Sequence, residues 1–290
     1  MEKEDERPQS QATGGMSKET EEFQKYADTG EKNAVIRLMN SKHTDINSPN
    51  RDGKTPLHMA ALHGHIDVIE VLLAKDAKSG QEIRVNQEDR DGNLPLHLAA
   101  KENHLEAVKM LVDGGNANVN ARNKLGETPL LLAARAGHIA VVNYFLLQRI
   151  SAEINTACCD QWTPLHSAVY AGHDEVVASL TRQRHLVVNT FDVHKMSSPL
   201  IASVELCGKL PAPNSPDNTG RSNCSSVIEK RDVARKIMTS LLVRGADVRS
   251  IDSNGQTALH RAAKYCRKDI VELLLNPKYI VEKTAYHGST

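Results

Sequence analysis

Thirteen histidines and five cysteines are the side chains in this sequence suited to metal ligation or nucleophilic chemistry. A zinc site needs several ligands converging on one point, commonly from paired C-x-x-C knuckles, and Cys158, Cys159, Cys207, Cys224 and Cys266 form no such pairs. The histidines recur at regular intervals instead. His58, His97, His166 and His260 each close a tetrapeptide, while His65, His104, His138 and His173 each follow a Gly or an Asn. A group repeated once per unit of sequence is spread along a structure, not gathered on one ion, so a structural role is expected, with no metal and no cofactor. Phosphate-loop, esterase, metalloprotease and dinucleotide motifs are missing, and no catalysis is expected. Cys158 and Cys159 are adjacent, a poor geometry for an unstrained disulfide, and both are expected to be exposed free thiols.

The elements that carry these histidines follow from the same spacing. The tetrapeptide reads TPLH at Thr55, LPLH at Leu94, TPLL at Thr128, TPLH at Thr163, SPLI at Ser198 and TALH at Thr257. A Val-Asn or Ile-Asn pair ends at Asn47, Asn86, Asn120, Asn155 and Asn189; the first four lie 8 residues before the tetrapeptide and the last lies 9 before it. Proline at the second place presets φ for a first helical turn, and the Thr or Ser before it can cap that turn. An alanine-rich helix then runs to Gly64, Asn103, Gly137 or Gly172, residues that stop a helix by leaving it left-handed. A second helix follows, as at Ile66 and Leu105, with apolar residues at i, i+3, i+4 and i+7. Asp52-Gly53, Asp91-Gly92, Leu125-Gly126 and Asn254-Gly255 mark a turn in the link to the next unit. Each apolar stripe needs a neighbouring unit to cover it.

Turn, short helix, turn and longer helix at about 33 residues, opened by T-P-L-H, resembles the ankyrin repeat over roughly residues 18 to 280. The resemblance implies an all-α solenoid of helix-turn-helix pairs with protruding β-hairpin turns, about seven units, the first a divergent cap around Phe23. On that reading residues 1–17 form an acidic, disordered tail and residues 18–290 the repeat domain, with a disordered insertion near 209–228. The insertion carries Ser215-Pro216 and P-x-x-P from Pro213, where phosphorylation would add charge beside the basic last units. A smaller insertion lies between Leu72 and Asn86. Gln161 and Met196 replace the turn glycine in the fifth and sixth units, so those two tips are expected to differ in shape.

Charge and composition bound the function. Lys+Arg and Asp+Glu are 36 each, which argues against a chain built to coat nucleic acid, and aromatics at 3% leave little for a large cofactor pocket. The neutral total hides asymmetry: residues 1–22 carry seven acidic and three basic side chains, and from Arg221 onward 13 basic residues face 7 acidic. A nucleic-acid-associated factor using those basic repeats is therefore the alternative reading, set against the absence of interleaved stacking aromatics. No apolar h-region or membrane-length run is present, so a monomer in the cytoplasm, with the nucleus as the alternative, and no membrane insertion are expected. The resemblance implies a protein-protein interaction module, a scaffold, adaptor or inhibitor, whose protein partners meet the hairpin tips and the concave side of the short helices. Carried onto this sequence, the partner-binding positions are Lys54, Asn93, Glu127 and Trp162 before the cap, and His63, Lys101, Glu102, Arg135, Tyr170, Lys264 and Tyr265 late in the short helices, with Arg261 from the basic last unit. Arg135, Trp162 and Tyr170 come from consecutive units and form the central patch, since interface energy concentrates in Trp, Tyr and Arg.

Overall fold

Capping chemistry starts each short helix where the tetrapeptide places it. In the computed structural model, which describes residues 18–41, 43–74, 81–193, 196–208, 224–265 and 267–280, the hydroxyls of Thr55, Thr128, Thr163 and Thr257 accept the N–H of the residue three places on. The described residues form seven helix pairs. They are α1 (Lys18–Thr29) with α2 (Lys32–Met39), α3 (Pro56–His63) with α4 (Ile66–Leu73), and α5 (Pro95–Lys101) with α6 (Leu105–Lys109), which continues as a π turn over Met110–Gly114. Then come α7 (Pro129–Ala136) with α8 (Ile139–Phe145), α9 (Pro164–Ala171) with α10 (Asp174–Thr181), α11 (Pro199–Gly208) with α12 (Cys224–Val243), and α13 (Ala258–Lys264) with α14 (Lys268–Leu274). A final turn, α15 (Pro277–Ile280), sets Tyr279 against the core.

Short helices pack on short helices from unit to unit, α3 on α5, α5 on α7 and α7 on α9. Their alanines make this approach possible: Ala60, Ala61, Ala99, Ala100, Ala133, Ala134 and Ala168 are fully buried. One apolar cluster runs from Phe23 to Leu274.

The links are shorter than β-hairpins. No strand forms among the described residues, and Ile251 with Thr257 makes an isolated bridge. The links into the second to fifth and seventh units each close as a turn on two backbone bonds, for example Asp89 N–H to Asn93 O at 2.9 Å and Gly92 N–H to Asp89 O at 3.0 Å. A side chain holds the turn from within: Oδ1 of Asp89 accepts the N–H groups of Asp91 and Asn93, and Asn50, Asn123 and Asp252 do the same in their units. The tips then bond to each other, with Arg90 N–H to Asp52 O, Lys124 N–H to Asp91 O and Cys159 N–H to Leu125 O, each at 2.9 Å.

Two side-chain clasps join successive units. Asn47, Asn86, Asn120, Asn155 and Asn189 each donate Nδ2–H to a carbonyl of the next unit and accept one of its N–H groups on Oδ1, as Asn155 does with His185 O at 2.7 Å and Val187 N–H at 2.8 Å. The histidines after the helix stops reach the opposite way. Nε2 of His65, His104, His138 and His173 meets the carbonyls of Asp28, Leu62, Lys101 and Arg135 in the preceding unit at 2.7 to 3.0 Å. The rings of His65, His104 and His173 lie over the left-handed glycine that ends that unit's short helix, so a Cβ added at Gly137 would meet the His173 ring at 2.5 Å. Gly172 faces Leu206 at 3.5 Å in place of a ring.

The tetrapeptide histidines are internal. Nδ1 of His58 accepts Thr55 N–H at 3.1 Å, which assigns the proton to Nε2, and Nε2 donates to Asn93 O at 2.9 Å. Burial pushes the pKa of His58, His97 and His166 below the usual range, His166 to about 4. His166 Nε2 faces the carbonyls of Thr190 and Ser197 without making a well-formed hydrogen bond to either. His260, in the last described unit, is exposed.

Three expectations change. Gln161 keeps the left-handed turn at φ +60° with the same closing bonds, whereas Met196, left-handed at φ +46°, sits in a turn one residue longer, Asp192 N–H reaching Ser197 O, so that tip does differ. The second helix of the sixth unit begins at Cys224, so residues 224–228 belong to α12 and not to the insertion. Cys158 is buried, since it takes the inward position that Asn or Asp holds in other turns, while Cys159 is exposed. Residues 1–17, residues 75–80 of the smaller insertion, and residues 209–223 with Ser215 lie outside the described residues.

Gly137→Ala and Gly172→Ala both carry the left-handed penalty of about 1–2 kcal/mol. Urea denaturation is expected to show Gly137→Ala as the more damaging by at least a further ~1 kcal/mol, from displacement of the His173 clasp. The buried histidines set a pH dependence of definite sign. Below about pH 6.5 the unfolded chain binds protons that the folded rings refuse, so stability present at neutral pH is lost as the pH falls toward 4. For His166 the ceiling is about 3 kcal/mol. His166→Leu, the residue type at Leu131, is expected to flatten part of that loss in denaturation midpoints measured from about pH 7 to 5.

Candidate partner-binding face

Within a unit, the residue before the cap and the residue eight places later meet across the first turns of the short helix. In the fourth unit they are Glu127 and Arg135, an ion pair at 2.5 Å. In the fifth they are Trp162 and Tyr170, whose rings stack at 4.5 Å between centroids and 5° between planes. Both rings are half-buried and Arg135 is exposed. The packing of α7 on α9 sets the two pairs on adjoining units.

Each pair is anchored from behind. Glu127 Oε2 accepts Asn123 Nδ2–H at 3.0 Å, and the same amide donates to Asn93 Oδ1 at 3.0 Å. Tyr170 donates its O–H to Asp192 Oδ2 at 3.0 Å, tying the fifth unit to the sixth. Burial and the neighbouring carboxylate push the Tyr170 phenol well above its ordinary pKa, so it remains a donor across the working range. Trp162 Nε1 is covered and has no hydrogen-bond partner among the described residues.

Two of the twelve positions turn inward. Glu127 is buried, because its carboxylate is consumed by Asn123 and Arg135, and it holds Arg135 in place without being within a partner's reach. Arg261 is 13% exposed and joins two buried acids, Asp252 through Nε at 3.0 Å and Glu205 through Nη1 at 3.0 Å. This triad locks the seventh unit onto the sixth. Arg261 stands above its ordinary pKa and Asp252 below its own; the guanidinium–carboxylate bond leads the first shift and, with turn N–H groups, outweighs burial in the second.

The remaining positions lie apart from the central group. His63 Nε2 is 2.9 Å from Asp28 Oδ1 at the N-terminal end. Lys101 and Glu102 are exposed and 4.0 Å apart, Lys54 and Asn93 are half-buried, Lys264 is exposed, and Tyr265 packs against the core. Basic residues of the last units are mostly engaged: Lys236 with Asp174, Arg244 with the carbonyls of Gln183 and Arg184, and Lys268 with Glu272. Sequence reasoning passed over Asp192, Glu205 and Asp252. A signal for two existed: Asn50, Asp89, Asn123 and Asp252 stand five residues before the cap and Asp192 six. Among the described residues no group of three His, Cys, Asp or Glu is set to hold a metal ion, and no helix is long and apolar enough to cross a membrane.

The profile of the ankyrin-repeat family matches residues 24–123, 115–192 and 217–287, well over half of the chain. The chain belongs to the ankyrin-repeat family. Human ankyrin repeat domain-containing protein 49 is 44% identical over 43 residues, a stretch covering 15% of this chain and 18% of that relative's own length. Ankyrin repeats are general protein-protein interaction modules, and their proteins are typically binding modules and not enzymes.

Removing a buried guanidinium strands two buried carboxylates. Arg261→Ala is expected to cost about 3–5 kcal/mol, read as loss of the denaturant midpoint with earlier unfolding of the last unit by hydrogen exchange. Lys264→Ala, exposed on the same helix, is expected to leave stability within about 0.5 kcal/mol.

Proposed function

We propose that this chain is a non-catalytic protein-binding module of the cytoplasm or nucleus that presents Arg135, Trp162 and Tyr170 to a protein partner as a scaffold, adaptor or inhibitor. The observation that carries this reading is the Trp162–Tyr170 stack beside the Arg135–Glu127 pair. Aromatic rings and a guanidinium already held in place lose little conformational freedom on binding. Lys101 and Glu102, exposed at the end of the neighbouring short helix α5, add polar surface on the N-terminal side. The free thiols Cys158 and Cys159 suit a reducing compartment, and the internal engagement of Lys236, Arg244, Arg261 and Lys268 leaves less free charge for the nucleic-acid alternative.

The test is affinity capture with mass spectrometry from lysate of the source cells, comparing wild type with Trp162→Ala/Tyr170→Ala and Arg135→Ala, each first shown folded by circular dichroism. Partners retained by wild type and lost from the double variant are expected, with Arg135→Ala weakening the same set. An identical captured set in all three overturns this assignment of the face.

A further inference from the structure

Hairpin tips in the second to fourth units expose mainly charged residues, Arg51, Asp52, Arg90, Asp91 and Lys124, with Leu125 a single apolar residue among them. The sixth and seventh expose apolar ones: Phe191 is 42% exposed, Met196 56%, Val193 57% and Ile251 56%. Phe191, Met196 and Ile251 line one hollow of about 500 Å³ between the two turns. Large apolar side chains gathered on one edge of a water-exposed structure mark an interaction site far more than scattered ones do.

Three observations show that the hollow is built. Met196 holds a left-handed conformation at φ +46° where Gly53, Gly92, Gly126 and Gly255 stand in other turns, so its exposed side chain is maintained against backbone strain. The floor is rigid: Asn189 Oδ1 accepts Asp247 N–H at 2.8 Å, Asp247 Oδ1 accepts Arg249 N–H at 3.0 Å, and Ser250 Oγ meets Asp247 O at 2.8 Å and Ser198 Oγ at 3.0 Å. Arg249 stands at the position that carries the clasping Asn in the preceding units. Its side chain is exposed on the rim and makes no ion pair or hydrogen bond among the described residues. Asp247, the acid lining the same hollow, is already engaged, its Oδ1 accepting Arg249 N–H.

We propose that this hollow is a second docking point, separate from the Trp162–Tyr170 face, for an extended segment of a partner protein that presents a large apolar side chain with a carboxylate beside it. The apolar group fills the space between Phe191, Met196 and Ile251, and the carboxylate pairs with Arg249, a cation on the rim. Binding here offsets the exposure of the apolar edge, and the site stands whether or not the Trp162 face is used.

The probe is the peptide Ac-SGFEGS-NH2, titrated into full-length protein with ¹³C-labelled Met and Ile methyl groups and followed by NMR. Saturable shifts of the Met196 and Ile251 methyls are expected. Affinity is expected to fall at least fivefold for Ac-SGFQGS-NH2 and at least tenfold for Ac-SGAEGS-NH2. Arg249→Gln is expected to bind the Glu and Gln peptides equally. Met196→Gly is expected to weaken binding at least threefold while raising the denaturant midpoint, which separates loss of the site from loss of the fold; Trp162→Ala is expected to bind unchanged. Absence of shifts, or equal affinity of wild type for all three peptides, overturns the proposal, as does an Ile251 shift that depends on protein concentration without peptide, since a second copy would then be the occupant.

Discussion

The structure depends on the covering of each helix pair by the next. A single unit exposes the apolar stripe of its longer helix and cannot bury it alone. The hydrophobic contribution is non-directional and would tolerate sliding between units, so register has to come from polar groups. The asparagine clasp supplies both a donor and an acceptor to the backbone of the following unit, and the histidine clasp returns a donor to the carbonyl end of the preceding short helix. Because both partners of each clasp are backbone groups, the joint is indifferent to which side chains the unit displays.

That indifference is what frees the inner surface for recognition. The short helices stay close because alanines let them, the turns stay closed because an Asn or Asp side chain occupies their centre, and the positions between are left to vary. In the fourth and fifth units they hold an ion pair and an aromatic stack that fix each other's orientation. In the sixth, the residue equivalent to Arg135 and Tyr170 is Glu205, which serves cohesion by pairing with Arg261 of the seventh. One framework thus spends equivalent places on display in one region and on joining units in another, the difference lying in how deeply the charge is withdrawn from water.

The histidines show how a residue type with obvious chemical potential is neutralised by its setting. Rings held between a turn N–H and a carbonyl are fixed in one tautomer and kept uncharged by burial. Kept uncharged, they contribute to stability at neutral pH.

Much of this was legible in the sequence. Proline after Thr, Gly after the short helix and Asn eight residues before the cap are local rules, and a local rule repeated at a fixed spacing specifies the helices, the turns and the stacking order. The pairing of Glu127 with Arg135 and of Trp162 with Tyr170 follows from an eight-residue separation, though which of these side chains reaches solvent does not. The depth of Glu127, Arg261 and Cys158 was decided by what packs around each side chain, and the gathering of Phe191, Met196 and Ile251 around one hollow by the meeting of two units. Periodicity reports which face of a unit points inward. The depth at which a given atom sits is a property of the stack, set by residues some 10 to 60 places away in the chain, and only the tertiary structure brings those to within contact of one another.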